Sequence, residues 1–575
     1  MALVVTARPQ TSAELSESAQ QQRNRFDRAW WSALAAISSG VLLLAWQAVR
    51  YGNWVVDDAG ITFAYARSVA DGAGPVLQPG ADPVEGFSDP TWLSVLVVGK
   101  WLHLFDHGAL FGISDLVLYP KAIALLCCAG ILVTCYLAAR RVSRWPAMVT
   151  FVTGVVLAAI PSFVIWCFSG LENSLFALAA CVLAVHLFLA VLDQRLWTPS
   201  VAITAGVIAA FAALTRPDGL IYLAAYPLVS VILVRRTAWL TASRHVLYSV
   251  VGFAIPFGAY LLWRITEFGR LVANTAVAKN QAMPTVHDLT RAGDLVTYAG
   301  APAVIAAVGV VGLALATPST WRNGVVALLV PLTLAMIAYC VLRADWMAQF
   351  RFATPVWALA AFVVVISAAQ VLDRLRTRGR VLVAVTLVAT LVPSGVALAD
   401  SAASYRSDSD VPLCWIALRF GRYFNGYADI LGLRQGTLLA PDMGGSSLTS
   451  RLRLIDMGGL ADAQIADIYA GKGNTTLADY VFEDRKPTFV HTHGVWLDSG
   501  LTADPRMARD YYLIQQSQNP ASPDEDWVRK DAVRDQRQLQ QLLDYSSDVL
   551  PHLLSDFQKA GECGTTLRPG QTIPH

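Results

Sequence analysis

Long apolar stretches recur from residue 30 to residue 399, at about 30–51, 117–138, 147–167, 171–193, 198–214, 219–234, 244–264, 297–317, 324–342, 354–372 and 379–399. About 20 such residues, at about 1.5 Å per helical residue, cross the hydrocarbon core of a bilayer. The spacing therefore predicts a polytopic α-helical membrane protein with about eleven transmembrane helices. Composition agrees. Of the 575 residues, 55% are hydrophobic and only 15% charged, against about 45–50% and about 25% in soluble domains. The lipid bilayer is the first partner implied. The 44 Lys and Arg against 42 Asp and Glu leave a net charge of +2. That is too even a balance to draw in a polyanion, and no basic run is interleaved with aromatics, so nucleic acid is excluded as a partner.

Charge placement orients the helices. The connections carrying Arg140, Arg141 and Arg144, then Arg235, Arg236 and Arg244, then Arg374, Arg376, Arg378 and Arg380 are cytoplasmic by the positive-inside bias. The expected organisation is a cytoplasmic tail over 1–28, a transmembrane domain over 29–400 with an external loop 52–116, and an extracytoplasmic domain over 401–575. The first apolar run follows Arg23, Arg25 and Arg28 and has no small-residue cleavage site after it, so it reads as a retained helix of a cytoplasmic-membrane (inner-membrane) protein. Residues 91–105 are apolar but short. They read as an interfacial or re-entrant helix with Trp92 and Trp101 at headgroup level.

In the C-terminal region, short apolar runs near 437–441, 452–457 and 487–492 read as strands, while ADAQIADIYA and the polar stretch 529–559 read as helical. A small α/β domain is expected. Cys127, Cys128, Cys135, Cys167, Cys181 and Cys340 sit in or beside apolar segments and read as packing residues, whereas Cys414 and Cys563 are candidates for a disulfide in an external compartment.

With this topology the short polar motifs of the membrane half gather on the outer face, as one crater fed by at least six segments. Asp57 and Asp58 open NWVVDDAGITFAYAR, with Arg67 at its end; Ile61, Tyr65 and Val69 recur at helical spacing, as on an amphipathic helix lying on the membrane. Adjacent carboxylates perturb each other's pKa, which suits a base. An N-terminal charge that satisfies free amides is the other reading. Glu85, Glu172, Asp218, Asn274, Asp345 and Trp346 are further polar and aromatic groups on this face, although Arg216 and Asp218 also read as an internal ion pair. Arg216, Lys279 and Arg351 are cations on the face where the positive-inside bias does not call for them, and anionic phosphate is their natural ligand.

HExxH, paired CxxC, GxSxG and P-loop patterns do not occur. His491 and His493 share one face of a strand, but two ligands without a third make a polar surface more often than a metal site. The Gly pairs after Asp442 and Asp456 read as strand-ending turns. No metal site and no cofactor is assigned, and a divalent cation stays open.

Taken in order, DDAGITFAYAR, GPVLQPGADPVEGFSDPTW, SGLEN, LTRPDG, ANTAVAKN and ADWMAQFRF resemble the GT-C superfamily of integral membrane glycosyltransferases. Closest are the actinobacterial arabinofuranosyltransferase-like members, including the terminal β-(1→2)-arabinofuranosyltransferase type. The resemblance spans most of residues 50–360. It departs at Arg343 and Ala344, where the family has two glycines before Asp-Trp-Met. It implies transfer of a sugar, arabinofuranose first, from a polyprenyl-phosphate donor to a cell-envelope glycan or glycolipid acceptor such as arabinogalactan or lipoarabinomannan. It also implies Asp57 as general base and Asp58 as the second choice, with Arg67, Glu85, Glu172, Asp218, Asn274, Asp345 and Trp346 as substrate-binding residues that hold sugar hydroxyls or rings. A non-catalytic polysaccharide-binding or assembly protein of the same fold is the alternative. A transporter of lipid-linked sugars fits less well, since ionisable residues at span midpoints and an internal repeat are missing.

Overall fold

The computed structural model describes residues 12–281, 283–319, 321–517, 523–555 and 564–573; for 12–28, 554 and 555 it describes the backbone alone. Cys563, and with it the proposed pairing to Cys414, lies outside the described residues, as does much of the N-terminal tail. The other six cysteines are free and buried, as packing residues are.

Helix α1 (Ser12–Val49) leads into a long connection that carries α2 (Asp57–Ala70), α3 (Pro90–Trp101) and a small hairpin of β1 (Ala109–Leu110) with β2 (Ile113–Ser114). The bundle continues with α4 (Asp115–Val142), α5 (Pro146–Ala159), α6 (Pro161–Cys167), α7 (Asn173–Leu192), α8 (Pro199–Thr215), α9 (Ala225–Leu233), α10 (Trp239–Phe268), the short α11 (Asn274–Lys279), α12 (Ala292–Ala299), α13 (Ala301–Ala316), α14 (Arg322–Val341), α15 (Thr354–Arg374) and α16 (Thr377–Ser407).

Among the described residues, 7 helices are long and apolar enough to cross a membrane, and up to 9 if each bent pair is one span. The bends fall at Ile160–Pro161, through 85°, and at Gly300, through 106°. Proline denies the ladder an N–H at the first, and Gly300 adopts a φ of +89° at the second. Pro199–Thr215 and Pro217–Leu233 are shorter apolar helices. With them, every one of the apolar segments expected from sequence is helical.

Small residues set the closest helix approaches, as they do where packing rather than hydrophobic burial holds helices together. A Cβ on Gly206 would lie 2.0 Å from the Ser249 carbonyl, and one on Gly252 2.6 Å from that of Ile203, which locks α8 against α10. The basic connections meet at one end of the bundle: Arg144 pairs with Asp373 at 3.1 Å, Arg141 pairs with Asp193, and Arg374 donates to the Pro318 carbonyl.

At the other end sits a five-stranded sheet of order β4-β3-β5-β7-β6. Strands β3 (Thr437–Ala440), β4 (Arg453–Asp456) and β5 (Phe489–His493) are parallel, while β6 (Tyr511–Gln516) and β7 (Asp524–Arg529) add antiparallel. The first three match the expected strands. The last two carry too many polar residues to announce themselves.

The long connection and the sheet domain share one core. Trp54, Phe63, Tyr65, Trp92 and Phe105 pack in the same cluster as Leu413, Phe420, Tyr427, Leu438 and Phe489. Two expectations change as a result. Helix α2 is sandwiched between bundle and sheet domain, with Ile61 and Tyr65 buried, and does not lie on a membrane surface. Trp92 is buried on α3, donating to the Gly170 carbonyl at 3.1 Å, so of the two tryptophans only Trp101 is exposed.

Candidate active site

Three strands of backbone fix the start of α2. Val56 N donates to Ser169 O at 3.0 Å, Asp57 N to Val411 O at 3.0 Å, and Leu413 N to Val55 O at 2.9 Å. From that anchored turn the two adjacent carboxylates diverge. Asp57 points into the sheet domain, where its oxygens accept from the Gly444 amide at 3.1 Å and the Gly445 amide at 2.7 Å. The approach depends on glycine: a Cβ on Gly444 would lie 1.9 Å from the Asp57 carbonyl oxygen, and one on Gly60 would lie 2.6 Å from the Gly444 carbonyl carbon. Burial, aided by the charge of Asp442, pushes the Asp57 carboxyl well above the usual carboxylate range despite the two amides. A 5% exposed carboxyl with both oxygens occupied fastens two elements together. Asp57, the general base that the sequence resemblance implies, thus has both carboxylate oxygens taken up by backbone amides.

Asp58 points the other way, into a cleft at the end of the bundle, and its side chain is 29% exposed. Arg351 Nη1 lies 3.6 Å from its carboxylate, and Arg351 Nε lies 2.7 Å from Asp345, a contact not aligned as a hydrogen bond. The Arg351 guanidinium also stacks near Trp166 and Phe352. Burial lifts the Asp58 carboxyl above its ordinary range, and the charges of Arg351 and Lys279 pull it part of the way back. Lys279, on α11, is exposed in the mouth of the cleft. Protein crowds around it without sealing it from water. That crowding and the Arg351 charge lower its pKa, and Asp58 and Asp345 oppose them. Among the described residues Lys279 has no ion-pair partner.

Arg216 faces the same cleft but is engaged, giving Nη1 to Glu172 at 2.7 Å and Nε to Asp218 at 2.9 Å between the rings of Phe176 and Phe352. Its internal ion pair, one of the two readings open from sequence, is what the fold contains. Chemically, the cleft holds a raised carboxylate, one cation without an ion-pair partner among the described residues and one guanidinium paired with Asp345.

No family model and no curated protein sequence matches this chain. Solved structures do. ArnT from Cupriavidus metallidurans, bound to undecaprenyl phosphate, matches with a TM-score of 0.52 over 86% of this chain and 97% of that one, at 14% identity. The chain has the GT-C fold. Further off are the oligosaccharyltransferase AglB from Archaeoglobus fulgidus, in complex with an inhibitory peptide and a dolichol-phosphate (TM-score 0.47, 12% identity, 89% of this chain and 75% of that), and the arabinofuranosyltransferase AftD from Mycobacteria (0.45, 14%, 87% and 40%).

Within this GT-C fold, three expected substrate-binding residues are held by protein partners. Arg67 forks onto Asp106 with two bonds of 2.7 Å and caps the carbonyls of Leu448 and Leu567. Glu85 accepts from Tyr260 at 2.5 Å and Arg264 at 3.1 Å. Asn274 donates to the carbonyls of Gly459 and Leu460 at 2.8 and 2.9 Å. Each joins segments of the fold, and none faces the cleft free. Trp346 is 63% exposed and stands clear, as a sugar-stacking ring would.

The sheet domain contributes residues to which the sequence assigned no catalytic or binding role. Asp442, at the end of β3, is raised to about 7 by burial, with Asp58 and Asp456 adding to it. It meets His493 Nε2 at 3.3 Å; His493 Nδ1 lies 3.0 Å from His491 Nε2, and His491 Nδ1 lies 2.6 Å from Asp526, which Arg419 holds at 3.0 Å. The two histidines do share one side of β5, but His491 is fully buried and is no part of a polar surface. Burial holds both imidazoles below their ordinary pKa, His493 at about 3, so they are neutral. Among the described residues, no group of three or more His, Cys, Asp or Glu side chains is arranged to hold a metal ion.

Proposed function

We propose that this chain is a membrane glycosyltransferase that moves a sugar from a polyprenyl-phosphate donor to a cell-envelope glycan or glycolipid on the outer face of the cytoplasmic membrane. The observation that carries it is the convergence of Asp58, Arg351 and Lys279 in one cleft at the polar end of an apolar bundle. The match to ArnT supports the architecture, and the structure of that protein contains undecaprenyl phosphate. Arabinofuranose as the sugar rests on the order of the motifs alone.

A lipid-linked donor keeps its chain in the bilayer, so its reacting carbon sits at headgroup depth, the level of this cleft. Asp58 takes the proton of the acceptor hydroxyl as its oxygen bonds the anomeric carbon. The bond from that carbon to the phosphate oxygen breaks, and Lys279 and Arg351 take up the charge that develops on the phosphate. Asp345 aims Arg351, Glu172 and Asp218 aim Arg216, and Trp346 offers a face to a sugar ring. Polyprenyl-phosphate [14C]arabinose and full-length protein in membranes, with Asp58→Asn and Asp57→Asn compared at equal folded amount, test the reading. Wild-type turnover in Asp58→Asn would defeat it.

A further inference from the structure

A second cationic pocket lies away from Asp58, where the ends of α1 and α16 meet. Its cavity is about 70 Å³, lined by Arg50, Tyr51, Trp54, Tyr405, Arg406 and Ser409. By the same measure one water needs about 10–15 Å³, so a tetrahedral oxyanion has room. Among the described residues neither guanidinium around it has a carboxylate partner. Arg406 Nη1 is buried without a hydrogen-bond partner, and Arg50 Nη1 reaches only the Gln47 amide oxygen at 3.0 Å. Arg216, Arg264, Arg270, Arg351 and Arg419 by contrast each have a carboxylate within 3.0 Å. The nearby carboxylate of Asp410 is turned away, accepting from Tyr405 at 3.0 Å and from the Ala348 amide at 3.2 Å. A buried guanidinium nitrogen without an acceptor is costly, and two unpaired cations around one cavity amount to an empty seat for an anion.

The surroundings say which anion. Only 6% of the most apolar window of α16 and 28% of that of α1 is buried inside the protein. These two helices therefore turn most of their surface to lipid, and the pocket opens where they end, at headgroup depth. Trp54 and Tyr405 meet edge to face at 5.6 Å, and Arg50 lies 5.2 Å from the Trp46 ring, so aromatic side chains frame the cations as they do at a membrane interface. We infer that this pocket binds the phosphate of an anionic lipid headgroup. Its wall continues through Asp410 and Ala348 into the segment that bears Asp345 and Arg351, so occupancy steadies one side of the cleft without touching it.

Native mass spectrometry of the full-length protein, delipidated in detergent and titrated with dioleoyl-phosphatidylglycerol, with dioleoyl-phosphatidylcholine and separately with inorganic phosphate, tests this. A Lys or Arg near an anionic lipid surface contributes about 1 kcal/mol, about fivefold in affinity, and the same scale is applied to each of the two cations here. Arg50→Gln with Arg406→Gln is therefore expected to weaken phosphatidylglycerol binding by about 20-fold. Arg406→Lys keeps most of the binding, and Arg376→Gln with Arg378→Gln, at the far end of α16, changes nothing. Should the double variant not fold, the exposed Arg50→Gln alone carries the test with an expected loss of about fivefold. Unchanged retention in these variants overturns the inference. So does equal retention of phosphatidylcholine, and so does saturation by inorganic phosphate alone, which would make the ligand a free ion. None of these outcomes depends on the role of Asp58.

Discussion

The Gly445 amide donates to Asp57 Oδ1 at 2.7 Å across 388 residues of chain. This bond, with its neighbour from Gly444, seats the sheet domain on the first turn of α2, one residue before the carboxylate that opens into the cleft. Asp57, the base that the sequence resemblance implies, is thus tied to two backbone amides, while Asp58 beside it faces Arg351.

Gly444→Ala should therefore disrupt assembly while leaving the bundle's own contacts intact. A methyl group 1.9 Å from the Asp57 carbonyl oxygen cannot be accommodated without moving backbone. Overpacking of this kind costs about 1–3 kcal/mol or more. The expected result is a lower melting temperature in detergent and greater protease sensitivity of the 401–575 region, with both read against Gly395→Ala, where nothing lies within 4 Å.

On the proposed function, Asp58→Asn removes a base without removing a fastener. The fold should survive, with a melting temperature close to that of wild type, and sugar transfer should fall by about 10²–10⁴-fold, the usual contribution of a general base. Asp57→Asn should show the reverse order of effects: stability falls first and activity follows it. Equal losses of activity at equal stability in the two variants would refute the division of labour.

Lys279→Gln and Arg351→Gln should both slow transfer, but for different reasons. Lys279 has no ion-pair partner among the described residues, so its loss strips no carboxylate of an ion pair; it shows mainly as weaker handling of the phosphate, with a smaller upward shift of Asp58 than the loss of Arg351 gives. Arg351 leaves Asp345 and Asp58 uncompensated, so its removal also shifts the pH profile of kcat/KM upward as Asp58 loses a cation. Profiles of the two variants between pH 5 and 9 separate the roles.

Asp442 supplies a pH dependence of stability with a definite sign. Its folded pKa of about 7 stands above the ordinary carboxylate value. The folded protein thus holds a proton that the unfolded chain has already released. The contribution to stability is full below about pH 4 and is lost as pH rises through about 7. Thermal unfolding of wild type should weaken over that window, and Asp442→Asn should flatten the slope. Asp456, also raised to about 7, and the raised Asp57, Asp58 and Asp89 keep the rest.

How much of this was legible in the sequence follows from the range of the signals. Hydropathy is local, so the apolar helices and the three parallel strands could be read directly. Arg216 with Asp218 could be read as a pair because only Pro217 lies between them. The divergence of Asp57 from Asp58 could not, because it depends on a glycine pair in a distant domain that reads locally as a turn. Asn274 is likewise spoken for by carbonyls 185 and 186 positions away. Asp442 ends a strand like any other, and only the folding of the sheet domain against α2 brings it near Asp58. The Gly-Gly pairs after aspartate were the one available hint, since two adjacent glycines permit close backbone approach as well as a turn.

Asp106 offers the sharpest separation of a structural charge cluster from a catalytic one. Its 2% exposed carboxylate gathers Arg67 and Arg568 at 2.7 Å and Lys100 at 3.2 Å. Burial alone would raise its pKa, but the hydrogen bonds and charge of Arg67, with Lys100 and Arg568, outweigh that and hold it below the ordinary carboxylate range. A lowered folded pKa makes the stabilising contribution complete above about pH 4 and removes it as pH falls through the depressed value. Asp106→Ala leaves buried cations unpaired, a loss of about 3–5 kcal/mol, and should unseat the segment around Leu567, which Arg67 and Arg568 tie to α2. Asp106→Asn keeps the shape and loses the charge, so its melting temperature at pH 7 should lie between those of wild type and the alanine variant, without the wild-type drop on acidification below pH 4. If transfer activity per folded molecule fell in Asp106→Asn as far as in Asp58→Asn, this cluster would belong to the reaction and its assignment as a strut would be wrong.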